Sequence, residues 1–222
     1  MEEKIFEELK YLISFPKDFQ ESQKYPLILF LHGAGTRGES TDRLQKNACV
    51  RNLLSRQDER GYILLAPLCK SGDWGEWMMP LVHLVEMYRD YPWVDETRVH
   101  VTGNSMGGYG TWALASHHPD WFASAMPVCG GGIPAFTKFM VDVPVRTFHG
   151  LCDKTVDPIE SLQMAKALNT FGGHAELILF PELAHNCWDR VYSDEKNYDW
   201  LLAFTTERDK TLVEELSGNY YG

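Results

Sequence analysis

Short apolar, β-rich runs punctuate the chain at Leu9 to Phe15, Leu27 to Leu31, Tyr62 to Leu65, Val99 to Thr102, Ala123 to Val128, Val143 to Phe148 and Glu176 to Phe180. Several are apolar on both faces, as Leu27-Ile28-Leu29-Phe30-Leu31 shows, which is the pattern of strands covered by helices on two sides. Helical spacing fills the gaps. Met164, Ala167, Leu168 and Phe171 stand at i, i+3, i+4 and i+7 before the stop signal Gly172-Gly173. Leu81, Leu84, Val85 and Tyr88 repeat the spacing behind Pro80, a residue suited to the first helical position. Alternating strands and helices predict a mostly parallel twisted sheet between two helical layers, an α/β three-layer sandwich. Functional residues of such sheets collect at the C-terminal ends of the strands.

Composition narrows the class. With 222 residues and no repeat, low-complexity tract or Gly/Ser-rich linker, a single domain over 1–222 is expected. Hydrophobic residues make up 44% and charged residues 23%, so neither disorder nor a fibrous architecture is indicated. The 21 Lys and Arg against 31 Asp and Glu give a net charge of −10 with no dense basic run, which argues against a nucleic-acid partner. The acidic Met1-Glu2-Glu3-Lys4 start and the lack of a long apolar stretch lead to an expected cytoplasmic location with no membrane partner. Five cysteines without a Cys-x-x-Cys pair cannot all pair within one chain and suit reduced thiols.

The candidate chemistry begins at Gly103-Asn104-Ser105-Met106-Gly107, a G-x-S-x-G sequence between the Val99 strand and the helix-like Tyr109 to Ser116. A sharp strand-to-helix reversal needs small residues two positions either side of the serine, and it presents the Ser105 hydroxyl as a nucleophile. The helix N-terminus behind it supplies N–H groups and partial positive charge for an oxyanion. Upstream, the Leu27 strand ends in His32-Gly33-Ala34-Gly35, the place from which a second oxyanion donor comes. The backbone N–H groups of Ala34 and Met106 are therefore the candidate oxyanion donors, while His32 braces the loop by hydrogen bonding.

Two carboxylates follow the Val143 strand. Asp157-Pro158-Ile159-Glu160 reads as N-cap, first helical residue and capping-box partner, which occupies Asp157 and leaves Asp153 free to orient a histidine. His185, in the loop after the last strand, is the candidate general base that takes the serine proton. His174 lies at the opposite sheet edge and is expected to face solvent. His117 and His118 close the helix behind the serine, where imidazoles interact with terminal carbonyls. Cys187 is too close to His185 on the chain for the two side chains to face each other.

Taken together, Tyr25 to Gly35, Gly103 to Gly108, His149-Gly150 with Asp153, and His185-Asn186-Cys187-Trp188 resemble small prolyl-oligopeptidase-like and phospholipase/carboxylesterase-like enzymes of the α/β-hydrolase superfamily. The likeness runs from the Leu9 strand to about Tyr198. It implies the α/β-hydrolase fold, a Ser105, Asp153, His185 triad, an oxyanion hole at Ala34 and Met106, hydrolysis of small carboxylic esters, and no cofactor. Larger members carry a propeller or a long lid, and the absence of a segment long enough for either points toward small esters rather than long peptides. Peptidase or acyl-thioesterase action on the same fold and a catalytically silent binding module are the alternatives. Trp74, Trp77 and Trp188 are candidate pocket residues, with sheet-edge cover as their plain alternative, and Asp73 and Glu76 would repel anionic substrates. No H-E-x-x-H type cluster suggests a catalytic metal.

Overall fold

The structure, a computed structural model, describes residues 1–207. In chain order it runs β1 (Glu2–Phe6), β2 (Leu9–Ser14), β3 (Tyr25–Leu31), α1 (Asp42–Lys46), α2 (Ala48–Arg60), β4 (Ile63–Leu68), α3 (Met78–Arg89) and β5 (Val94–Asn104). It continues with α4 (Met106–His117), β6 (Ser124–Val128), β7 (Val145–Gly150), α5 (Ile159–Thr170), β8 (Ala175–Phe180), α6 (Trp188–Ser193) and α7 (Glu195–Leu202). The eight strands form one sheet in the order β1-β2-β4-β3-β5-β6-β7-β8. β1, β2 and β4 pair antiparallel and every later pair is parallel.

Alternation along β3 shows how the layers are fixed. Leu27, Leu29 and Leu31 face α3, α4 and α5 in a core with Leu84, Val101, Trp112 and Leu168. Ile28 and Phe30 face the opposite layer, where they meet Leu53 of α2, Tyr192 of α6 and Leu201 of α7. A strand packed on both faces must be apolar throughout, and each such side chain contributes about 1.5–3 kcal/mol by leaving water.

Three local expectations are corrected. β1 was not expected: its polar Glu2, Glu3 and Lys4 are exposed on an antiparallel sheet edge, so the strand carries no two-sided apolar signal. α3 begins at Met78, ahead of Pro80, whose missing N–H falls among the unpaired donors of the first turn. The buried stripe of α5 is Ser161, Met164, Ala165 and Leu168, whereas Phe171 lies just past the helix end and is exposed.

Candidate active site

Ser105 sits between β5 and α4 with φ 57 and ψ −119, a left-handed conformation for a residue that carries a Cβ. Its N–H donates to the Val128 carbonyl (2.9 Å), which ties the turn to the neighbouring strand β6. The flanking glycines are steric necessities. A Cβ on Gly103 would lie 2.5 Å from the carbonyl oxygens of Leu31 and Gly107, and one on Gly107 would lie 1.8 Å from Leu31 O. The G-x-S-x-G spacing thus lets β3 pass directly beneath the turn while the Ser105 hydroxyl stands clear of it.

That hydroxyl lies 2.8 Å from His185 Nε2, and His185 Nδ1 lies 2.6 Å from Asp153 Oδ2. Residues 80 and 32 positions apart in sequence are joined because β5, β7 and β8 end along one edge of the sheet. The two distal loops are stitched together by the Cys152 N–H, which donates to Leu183 O (2.9 Å). Asp153 is buried, and its Oδ1 accepts the Thr155 and Val156 amides at 2.8 and 3.0 Å. Burial alone would raise its pKa, but the His185 bond and the two amides outweigh that and hold the carboxyl below its ordinary value. Asp157 is exposed and caps α5, its Oδ1 accepting the Ile159 N–H (2.9 Å). The expected capping box is not closed, because the Glu160 side chain lies against Gly131 and Tyr109 instead.

The loop after β3 lies against the same turn: a Cβ on Gly33 would meet Ser105 Cβ at 3.4 Å. Among the described residues, neither the Ala34 nor the Met106 N–H finds a hydrogen-bond acceptor. Carbonyls of this loop are held from outside. Arg37 donates to Ala34 O (3.1 Å) and to Gly72 O (2.7 Å), and Arg43 donates to Gly35 O (3.0 Å). His32 is fully buried, with Nδ1 2.7 Å from Gly33 O and Nε2 accepting the Cys69 N–H (3.0 Å). Burial lowers its pKa to about 4, so it is a neutral brace away from the Ser105 hydroxyl.

A cavity of about 460 Å³ opens beside Ser105. Its floor is one stripe of α4, Met106, Tyr109, Gly110, Ala113 and His117, and its walls include Trp74, Ile133, Phe136, Val156 and Met164. Of the three tryptophans expected there, Trp74 lines the cavity and donates to His32 O (3.0 Å). Trp77 is not in its wall and donates instead to Ser71 O (2.9 Å). Trp188 is also absent from the wall and presents its ring at 85° to the His185 imidazole, 5.2 Å away. Ile133, Phe136, Val156 and Met164 escaped the sequence reading. For Ile133 and Phe136 the signal available was the run Gly130-Gly131-Gly132, which brings the apolar residues after it down onto α4.

The remaining histidines sort as follows. His117 lies 2.7 Å from the Ala113 carbonyl in the last turn of α4, while His118 stacks on Trp121. His174 is half-buried rather than solvent-facing, 3.9 Å from Glu176 at the far edge of the sheet. Cys187 is buried and Cys152 is the exposed thiol.

Sheet order, strand directions and the serine turn define an α/β-hydrolase fold, and similarity to known proteins runs to hydrolases of the esterase and peptidase kind. The model of the prolyl oligopeptidase family matches residues 71–132. A thermostable esterase is 30% identical with a TM-score of 0.79, covering 89% of this chain and 59% of its own. Est1E from Butyrivibrio proteoclasticus, solved with ferulic acid bound, is 14% identical with a TM-score of 0.69 over 91% of this chain and 100% of its own. Dipeptidyl-peptidase 5 of Porphyromonas gingivalis is 29% identical over 132 residues, 53% of this chain and 19% of the peptidase. The chain therefore spans about a fifth of that peptidase and about three fifths of that esterase.

Proposed function

We propose that this protein is a serine hydrolase that cleaves small carboxylic esters through an acyl-enzyme on Ser105. The observation that carries the reading is the unbroken chain from Ser105 Oγ through His185 to Asp153, at 2.8 and 2.6 Å. His185 Nε2 takes the hydroxyl proton as Ser105 Oγ adds to the ester carbonyl. The oxyanion so formed is received by the N–H groups of Ala34 and Met106. Collapse breaks the C–O bond of the ester, and the alcohol leaves with the proton returned by His185. Water then repeats the sequence and releases the acid. Asp153 holds the imidazole in the tautomer that keeps Nε2 open and stabilises its cation without taking the proton. The cavity along α4 suits an apolar acyl or aryl group, and Asp73 in its wall disfavours an anionic one.

A peptidase is the second reading, favoured by the prolyl oligopeptidase family match and by the dipeptidyl peptidase relative. Purified protein assayed with p-nitrophenyl esters, aminoacyl amides and acyl-CoA side by side separates esterase, peptidase and thioesterase. A fluorophosphonate should label the wild type and His174→Ala, fail on Ser105→Ala and largely fail on His185→Ala. An unlabelled wild type would leave a silent binding module and end the hydrolase reading.

A further inference from the structure

Asp153 Oδ2 is approached by two imidazoles, His185 Nδ1 at 2.6 Å and His149 Nε2 at 3.1 Å. His149, on β7, is fully buried and takes no part in the reaction described above. Its Nε2 faces a second oxygen as well, the Val156 carbonyl at 3.1 Å. A carboxylate and a carbonyl can only accept, so Nε2 must carry a proton whatever the state of the ring. On the other side Nδ1 lies 2.7 Å from Ser161 Oγ on α5, which itself lies 2.7 Å from the Gly130 carbonyl after β6. The ring is therefore held between three elements and cannot turn away from Asp153.

We propose that His149 is a positioning residue for the Ser105, His185, Asp153 chain: its Nε2–H fixes the carboxylate oxygen that orients His185 and withdraws negative charge from it. This rests on the hydrolase reading above. With Oδ1 held by two amides and Oδ2 by two imidazoles, the carboxylate has no freedom to rotate and is a weaker base toward His185 than one bound by His185 alone. The other titratable groups around it are Tyr109 from α4, with Glu160 of α5 beside it, and Cys129 after β6. Burial raises the pKa of both Tyr109 and Cys129, so these two stay neutral over the working range.

The test is the pH dependence of ester hydrolysis by purified full-length protein. His149→Leu is expected to lower kcat roughly tenfold to a hundredfold with KM little changed. Without its donor Asp153 attracts the His185 proton more strongly, so the ascending limb of kcat/KM should move up by about half a pH unit. His149→Gln, whose amide nitrogen stands where Nε2 stood, should restore most of the limb position and of kcat. A limb unmoved in His149→Leu, or glutamine no better than leucine, overturns the proposal, because a purely structural defect lowers the rate without moving the limb. Should His149→Leu fail to fold, His149→Met decides in its place: it also removes the Nε2–H, and the same upward movement of the limb supports the proposal while a wild-type profile overturns it. A wild type that hydrolyses no ester and takes no fluorophosphonate would defeat the hydrolase reading itself. An active wild type with unshifted variants defeats only the role of His149.

Discussion

Ser105 is held in a backbone conformation that costs on the order of 1–3 kcal/mol for a non-glycine residue, and the surrounding contacts over-determine it. The same division between what a residue's type permits and what its neighbours impose separates the two aspartates. Asp153 accepts four hydrogen bonds on a buried carboxylate, whereas Asp157 is exposed and caps a helix. Asp153→Asn should therefore lower kcat by about 10⁴, as expected when the imidazole tautomer is lost. Asp157→Asn should leave turnover within a few-fold, since asparagine caps nearly as well as aspartate. Steady-state kinetics on the two variants checks both, and the reverse ranking would reassign the orienting acid. At Ala34 only the backbone N–H is at stake. Ala34→Ser should be nearly silent, while Ala34→Pro, which deletes the donor where the short helix after β3 begins, should cost about 10²–10³ in kcat.

At the scale of elements, α4 does two jobs with different faces. Leu114 and Ala115 are buried in the core, Met106, Tyr109, Gly110, Ala113 and His117 floor the cavity, and the buried Trp112 and Ser116 border it between the two faces. From Ser105 to His117 the helix advances about 18 Å at 1.5 Å per residue, so the cavity is a cleft leading away from Ser105. Filling its middle should shorten the group it accepts. Ala113→Leu is expected to raise KM for aryl and longer acyl esters about tenfold while acetyl esters change little, as measured across a series of p-nitrophenyl and naphthyl esters. Equal losses on all chain lengths would place the substrate elsewhere. The stripe of α5 tells a related story. The sequence spacing named Met164 and Leu168, which are buried, and Phe171, which is exposed because the helix ends before it. Helix ends depend on capping and on what the next strand requires, and periodicity reports neither.

The whole molecule carries three fully buried histidines besides the half-buried His185, namely His32, His100 and His149, and two of them have strongly lowered pKa values, His32 to about 4 and His100 to about 3, both chiefly by burial. In the unfolded chain each titrates near pH 6.5, so between about 6.5 and 4 the unfolded state binds more protons than the folded one. Stability should accordingly be full above about pH 6.5 and fall as the pH drops toward 4, at up to about 1.4 kcal/mol per pH unit for each histidine. Thermal melts across that range check it, and a Tm that is flat from pH 7 to 4.5 would contradict it. The neutral His32 ring also couples the β3 loop to Cys69, whose N–H it accepts on Nε2, so protonation of that nitrogen removes the bond and acid should loosen the candidate oxyanion loop as it loosens the fold. The amino-acid sequence by itself determined the strand and helix alternation, the serine turn and the chain order of Ser105, Asp153 and His185, because these are encoded locally by apolar periodicity, by glycines at obligatory close approaches and by position after a strand. Only the tertiary structure decided that His149 reaches the same oxygen as His185, that Trp77 and Trp188 stay out of the cavity wall, and that Ile133, Phe136, Val156 and Met164 enter it. Those facts depend on where side chains from β7, α5 and the loop after β6 meet in space, and apart from the Gly130-Gly131-Gly132 run ahead of Ile133 and Phe136 such contacts between distant elements leave no pattern along the chain.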